Sequence, residues 1–493
     1  MSQINIQNLT FAYDGSYDNI FEDVSFQIDT DWKLGFTGRN GRGKTTFLNL
    51  LCGKYEFKGK ISASVEFDYF PFQVTDKTRS ALDIIGNFQE WELKKELSLL
   101  DVPEEVLTRP FNTLSNGEQT KILLAALFLN ENNFLLIDEP TNHLDTQGRK
   151  KVSQYLASKS GYILVSHDRA FLDGCVDHIL HINKTNIEIQ KGNFSTWYEN
   201  KQRQDQFELA ENAKLKKDIK RLEAAAVQSS KWANKVESTK MGKGANAKRK
   251  KGEVSIDTMA YNGEKSRRMQ QRRKNLERRQ QNAIEEKSSL LKNIDQAASL
   301  KIAQLTHHSN PYVSIKNLSI SYAADCQNIN FDINKGDRIA LIGKNGSGKS
   351  SIIKLIYGEP INYTGEIIKP PNLQISYVSQ DTSYLEGNLT DYAREKNIDE
   401  SLFKSILRKL DFSRVQFDKS INDFSGGQKK KVLIAKSLCE KSHLLIWDEP
   451  LNFIDVLSRI QLEDLLLEYK PTILFVEHDR IFSEKLATKK VGL

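Results

Sequence analysis

The sequence predicts an α/β protein: two tandem domains of parallel-sheet type joined by a long α-helical hairpin. Three observations predict it. A glycine-rich motif recurs 305 residues apart, at Lys44 and Lys349. Each copy is followed by the same further motifs at matched intervals, the mark of one supersecondary plan used twice. Between the copies lies a basic stretch with helical periodicity.

The first motif reads Gly38-Arg39-Asn40-Gly41-Arg42-Gly43-Lys44-Thr45, followed by Thr46. The second reads Gly343-Lys344-Asn345-Gly346-Ser347-Gly348-Lys349-Ser350, followed by Ser351. Both fit G-x-x-x-x-G-K-[ST]. Glycines let the backbone curl so that N–H groups face phosphate oxygens. The helix that follows adds the partial positive charge of its N-terminus. Lys44 or Lys349 neutralises the β- and γ-phosphates, and the Thr45 or Ser350 hydroxyl ligates Mg²⁺. The ligand implied is a nucleoside triphosphate with Mg²⁺.

Polar loops at Leu114-Ser115-Asn116-Gly117-Glu118-Gln119 and Phe424-Ser425-Gly426-Gly427-Gln428-Lys429 each open a helix. Apolar runs at 134–137 and 444–447 read as buried parallel strands and end in Asp138-Glu139 and Asp448-Glu449. Val165-Ser166-His167-Asp168 and Val476-Glu477-His478-Asp479 follow a further apolar strand in each copy. Ser115 to Asp138 and Ser425 to Asp448 are both 23 residues. Asp138 to His167 is 29 residues and Asp448 to His478 is 30. Lys44 to Ser115 is 71 residues, against 76 from Lys349 to Ser425.

With these residues the chain resembles the ATP-binding-cassette family: phosphate loop, LSGGQ-like signature, Asp-Glu pair and switch histidine. Asp138-Glu139-Pro140-Thr141-Asn142-His143-Leu144-Asp145 has the form typical of the ABC-F class. The second copy departs from it as Asp448-Glu449-Pro450-Leu451-Asn452-Phe453-Ile454-Asp455. The wording Trp32-Lys33-Leu34-Gly35 before the first phosphate loop resembles the Lsa-type antibiotic-resistance subgroup. The resemblance implies ATP hydrolysis at two composite sites. Asp138 and Asp448 complete the Mg²⁺ site, Glu139 and Glu449 polarise the attacking water, and His167 and His478 hold the γ-phosphate. Ser425 and Gly427 face the first nucleotide from the opposite cassette, and Ser115 and Gly117 face the second. One polypeptide therefore suffices, as a monomer with intramolecular cassette pairing.

The family also places an aromatic residue against adenine. Tyr13 and Tyr322 stand 31 and 27 residues before their lysines; packing on a strand edge is the alternative. Gln380 follows strand 375–378, where the family's metal- and water-contacting glutamine sits. Aligning Tyr69 with Tyr377 puts Phe72 opposite Gln380 and Gln73 one residue late; Gln73 is the candidate.

The chain has 493 residues, 27% charged and 39% hydrophobic, ordinary for a soluble protein. No apolar run reaches the roughly 18 residues a bilayer span needs, so no membrane partner is expected. The amphipathic start, Met1-Ser2-Gln3-Ile4-Asn5-Ile6, lacks the pattern of a signal peptide. Cys52, Cys175, Cys326 and Cys439 are too dispersed for a zinc module and suit a reduced cytoplasm. The 15 residues after His478 leave no room for a C-terminal extension.

Charge is segregated. Residues 200–305 hold 26 Lys and Arg against 13 Asp and Glu; of 71 basic and 64 acidic residues overall, the remainder keeps 45 and 51. A basic insert between mildly acidic domains is a footprint for a polyanion. The expected organisation is a first cassette over 1–198, a hairpin over 199–306 and a second cassette over 307–493. Helices are expected from Ala210 to about Val236 and from Ser266 to about Ala298. Between them a glycine-broken tip (about 239–263) mixes Lys243, Lys248, Arg249 and Lys250 with Val254, Ile256, Met259 and Tyr261. His307-His308 reads as linker. A solvated spacer is the bland alternative for the insert.

Three functions follow. The Lsa-type resemblance implies an ATPase on the 70S ribosome. Its hairpin would enter the E site, contact 23S rRNA and P-site tRNA, and relieve lincosamide, pleuromutilin or streptogramin A inhibition. A housekeeping ABC-F translation factor is the alternative. The ATPase half of a drug exporter is the third, and it leaves the basic insert unexplained.

Overall fold

The computed structural model describes residues 2–13, 19–85, 89–130, 133–142, 144–183, 186–242, 304–321 and 326–493, with the single positions 271, 275, 278 and 279. The chain divides into two compact units, Met1–Trp197 with Ala298–Leu493, and Tyr198–Ala297.

The first unit holds both repeats. In the first, the strands are β1 (Gln3–Phe11), β2 (Phe21–Asp29), β3 (Lys33–Thr37), β4 (Lys58–Ser62), β5 (Glu66–Phe70), β6 (Asn133–Asp138), β7 (Tyr162–Val165), β8 (His178–Ile182) and β9 (Ile187–Lys191). In the second they are β10 (Val313–Ile320), β11 (Ile329–Ile333), β12 (Arg338–Ile342), β13 (Tyr363–Ile368), β14 (Ile375–Val378), β15 (Leu444–Asp448), β16 (Ile473–Val476) and β17 (Lys489–Gly492).

Each repeat combines a small antiparallel sheet with a larger, mainly parallel one. The small sheets run β2-β1-β4 and β11-β10-β13. Their central strands alternate buried and exposed residues, as a half-covered sheet requires. The phase slips once in each, between Ile6 and Leu9 and between Ile315 and Leu318, at β-bulges where Asn8 and Asn317 both take φ 50°. Asparagine tolerates that left-handed geometry better than most residues.

The large sheets run β5-β6-β7-β3-β8-β9 and β14-β15-β16-β12-β17. Strands β6, β7, β15 and β16 are nearly continuous apolar runs because helices cover both faces. Phosphate loop, Asp-Glu pair and switch histidine follow β3, β6 and β7, and again β12, β15 and β16. They therefore gather at the carboxyl ends of neighbouring strands, where open α/β sheets bind ligands. In this the fold agrees with the sequence expectation of tandem α/β nucleotide-binding domains.

The second unit contains most of a helix spanning Phe194–Gly242, 49 residues long. It begins 16 residues before the expected Ala210. The reason is local. Asn193 Oδ1 accepts from the Thr196 backbone N–H at 3.0 Å and from its hydroxyl at 2.8 Å, satisfying a first-turn donor. Phe194 and Trp197 are 2% and 5% exposed, so this start is fixed in the first cassette's core. Within the helix Leu215 and Ile219 are half-buried. Positions 271, 275, 278 and 279 are helical and exposed. The tip residues Lys243, Lys248, Arg249, Lys250, Val254, Ile256, Met259 and Tyr261 lie outside the described residues, as does most of the second expected insert helix.

Leu136 is fully buried in β6, two residues before Asp138. Leu136→Ala is expected to cost about 2–5 kcal/mol, read as a lowered thermal unfolding midpoint.

Candidate functional site

Each phosphate loop turns through left-handed glycines that other residues would strain. Gly41 and Gly43 have φ 77° and 94°, and Gly346 and Gly348 have 82° and 92°. A Cβ on Gly43 would meet Ile20 Cγ2 at 2.5 Å. Helices Lys44–Leu51 and Lys349–Tyr357 start directly behind. Lys44 Nζ donates to the carbonyls of Gly38 at 2.8 Å and Arg39 at 3.2 Å, inside the curl. Lys349 repeats this with Gly343 at 2.9 Å and Lys344 at 2.6 Å. Burial lowers both lysine pKa values, against nearby carboxylates that raise them. Asn40 is half-buried, Thr46 buried, Asn345 exposed and Ser351 half-buried.

The Thr45 hydroxyl donates to Asp138 Oδ2 at 2.9 Å, and the Ser350 hydroxyl to Asp448 Oδ1 at 3.1 Å. Each pair brings a hydroxyl and a carboxylate together beneath a phosphate loop. Such a set of hard oxygen donors fits Mg²⁺. Glu139 and Glu449 follow with φ 51° and 46°, a strained geometry for glutamate. It is held because their N–H groups donate to Val165 O at 2.9 Å and Val476 O at 3.0 Å. The turn aims both side chains at the switch histidines.

Past this point the two sites differ. Glu139 lies 3.3 Å from His167 Nε2, yet neither carboxylate oxygen accepts a hydrogen bond from any described residue. Burial, then the Asp138 charge, pushes its pKa up to about 8. Burial, then the Lys44 charge, holds His167 well below its ordinary value, so its imidazole is neutral. Glu449 instead accepts from Gln380 Nε2 at 2.9 Å and Asn452 Nδ2 at 2.6 Å, with His478 Nε2 at 3.7 Å. Burial works to raise its pKa, but His478 and Asn452 outweigh it and the net shift is downward.

The first site is closed by the other cassette. A cleft of about 470 Å³ has Tyr13, Lys44, Thr45, Asp138, Glu139 and His167 on one side and Ser425, Gly427 and Phe453 on the other. Asn40 Nδ2 donates to Phe453 O at 2.6 Å. Gly427 is required beside this contact: a Cβ there would fall 2.2 Å from Phe453 O. Arg39 forms an ion pair with Asp411 of the second cassette. Asp455 and Lys431, an ion pair at 3.1 Å, bear on the first site's Lys44. In the second site the Asp145 carboxylate of the first cassette bears on Lys349. Ser115 is exposed and Gly117 half-buried. Both signature serines cap their helices in capping boxes, Ser115 with Glu118 and Ser425 with Gln428.

Tyr13 lines the cleft, 43% exposed, its hydroxyl 2.8 Å from that of Thr46. Tyr322 lies outside the described residues. Gln73 is exposed, three residues beyond the end of β5. From β5 it is Tyr69 that reaches the metal-side carboxylate, its hydroxyl donating to Asp138 Oδ2 at 2.9 Å. Sequence reasoning missed Tyr69, Asn452, Lys431 and the cross-site influence of Asp145 and Asp455. The two aspartates and Asn452 stand in the quoted motifs and Tyr69 in the strand aligned with Tyr377; Lys431 carries no periodic or motif signal.

The carboxyl of Glu139 titrates higher in the folded protein than in the unfolded chain. Between about pH 4.5 and about pH 8 the folded state therefore holds the extra proton, and stability falls as pH rises through that window. Glu139→Gln removes this dependence. Without nucleotide, the variant's gain in melting temperature over the parent should widen from about pH 5 to about pH 8 and then level off. A gain that narrows with pH would contradict this environment for Glu139.

Residues 21–142 and 326–452 match the ABC transporter family. The chain is 28% identical over 496 residues to ribosome protection protein VmlR of Bacillus subtilis (strain 168), covering 97% of this chain and 85% of VmlR. It is 28% identical over 517 residues to ATP-binding protein Uup of Buchnera aphidicola subsp. Acyrthosiphon pisum, covering 99% and 80%. In fold it is similar to the archaeal ribosome recycling factor aABCE1, crystallised with stalk protein aP1, at TM-score 0.63 and 17% identity over 98% of this chain and 87% of that one. The chain belongs to the ABC transporter family and is an ATP hydrolase, and its homology to VmlR and Uup supports a place in the ABC-F branch.

Proposed function

We propose that this chain is a cytoplasmic, ribosome-bound ABC-F ATPase of the antibiotic-resistance subgroup. It relieves inhibition by lincosamides, pleuromutilins or streptogramin A at the peptidyl-transferase centre. The observation that carries the reading is the basic insert, 26 Lys and Arg against 13 Asp and Glu over residues 200–305, between two ATPase cassettes. A polyanion is the partner such a segment fits, and the full-length similarity to a ribosome protection protein names the kind. The domain assignment is cassette 1–198, hairpin 199–306 and cassette 307–493. The four cysteines are all free thiols, which suits a reducing cytoplasm.

In this reading Lys44 and Lys349 hold the β- and γ-phosphates of ATP. Thr45 with Asp138, and Ser350 with Asp448, hold Mg²⁺. When bound, Mg²⁺ neutralises charge on the phosphoryl oxygens. Glu139 and Glu449 orient the attacking water, Gln380 steadies Glu449, and His167 and His478 fix the γ-phosphate. Catalysis is positioning plus charge stabilisation. Cassette closure is the two-state element that ATP and its hydrolysis bias. The hairpin tip then acts at the E site on 23S rRNA and P-site tRNA.

A housekeeping ABC-F translation factor is the second reading, since equal identity to Uup, named only as an ATP-binding protein, carries no link to drugs. Two variants test the proposal, and the second separates the readings. Glu139→Gln with Glu449→Gln should co-sediment with 70S ribosomes in ATP far better than the parent; no gain would remove closure from the mechanism. Deleting the segment between Gly242 and Tyr261 should keep ATPase activity but abolish rescue of drug-inhibited, membrane-free translation. Rescue unchanged by the deletion, or absent in the parent, would overturn the resistance reading.

A further inference from the structure

Because the cassettes repeat one plan, matched positions should make matched contacts. One pair does. Arg149 Nη1 meets Asp168 Oδ2 at 2.9 Å, and Arg459 Nη1 meets Asp479 Oδ2 at 3.3 Å. Each aspartate directly follows a switch histidine and caps the next helix.

One residue further on, the match fails. Arg480 is exposed and its Nε donates to Glu484 Oε1 of its own helix at 2.7 Å. Arg169 is 5% exposed and crosses to the other cassette. Its Nη2 donates to Glu463 Oε2 at 2.6 Å and lies 3.9 Å from Asp479 Oδ1. Glu463 is 1% exposed, and its other oxygen takes Lys485 Nζ at 2.7 Å. Glu463 stands eight residues after Asp455; eight after Asp145 stands Ser153, whose hydroxyl bonds Phe171 O at 3.4 Å. A serine offers Arg480 no charge, so the mirrored bridge does not exist.

We propose that Arg169 is a positioning residue, a one-sided strut that ties the switch-histidine loop of the first ATP site to that of the second and couples hydrolysis at the two. Arg169 sits two residues after His167; its partners are Glu463 and Asp479, the residue after His478. A shift of either loop moves the strut. A buried, charge-assisted bridge is costly to break, so the loops move together.

The inference rests on ATP hydrolysis and not on the ribosome reading, and its test uses the purified full chain without ribosomes. Turnover is measured for the parent, Glu139→Gln and Glu449→Gln, each with and without Arg169→Ala. With Arg169 present, each single glutamine variant should fall well below half the parent rate, because blocking one site then slows the other as well. With Arg169→Ala, each should keep about half the rate of Arg169→Ala alone, as independent sites would. Arg169→Lys should restore the coupling and Arg480→Ala should leave it intact. Lys485 still neutralises Glu463 when Arg169 is gone; if that variant nonetheless fails to fold, Glu463→Gln replaces it. The proposal is overturned if the loss from either glutamine variant is the same fold with and without the bridge, or if Arg480→Ala uncouples the sites equally.

Discussion

Ionised groups held out of water at the carboxyl ends of parallel strands are the constraint on which this molecule depends. Lys44, Lys349, Asp448 and Asp455 are each 8% exposed or less. Isolated charges of this kind would be prohibitively costly to bury. They persist because every one has a designated partner: loop carbonyls for the lysines, a hydroxyl for Asp448, and Lys431 with Ser458 for Asp455. The sheets supply the geometry, and the opposite cassette supplies part of the compensation. Folding, cassette pairing and nucleotide chemistry thus draw on one cluster of charges.

The two sites share a backbone plan and diverge in side-chain surroundings. Glu449 accepts hydrogen bonds from Gln380 and Asn452, and against burial His478 and Asn452 favour its ionised form. Glu139 has its oxygens unbonded to described residues, and burial with the neighbouring Asp138 charge favours its protonated form. A carboxylate that takes a proton from the attacking water must be ionised to do so.

Much of this was legible in the sequence. The phosphate loops and Asp-Glu pairs are local: a few consecutive residues fix both the turn and the ligand set, so spacing alone locates them. Gln380 is expected from the sequence as the metal- and water-contacting glutamine after strand 375–378, and the structure shows its Nε2 donating to Glu449 Oε2. The first copy was harder, because Gln73 lies three residues beyond the end of β5 and loop paths are not set by periodicity. Tyr69 could not be foreseen as the contact to Asp138, because a half-buried tyrosine in a strand usually signals packing. The early start of the Phe194–Gly242 helix was hidden because its first turns are aromatic and polar rather than Leu-, Ala- and Lys-rich. Cross-cassette contacts such as Arg169 to Glu463 join residues 294 apart and follow from tertiary packing alone.

Phe453 illustrates what pairing imposes on the chain. It takes φ 62°, unfavourable for an aromatic residue, where the first repeat has histidine. Such a conformation costs on the order of 1–3 kcal/mol, and the hydrogen bond its carbonyl receives from Asn40 comes from the far side of the duplication. Severing the polypeptide into single repeats would withdraw that support and release the turn. Dissection by truncation is therefore not a neutral operation here: a solitary C-terminal half would lack the Asn40 hydrogen bond that holds this turn.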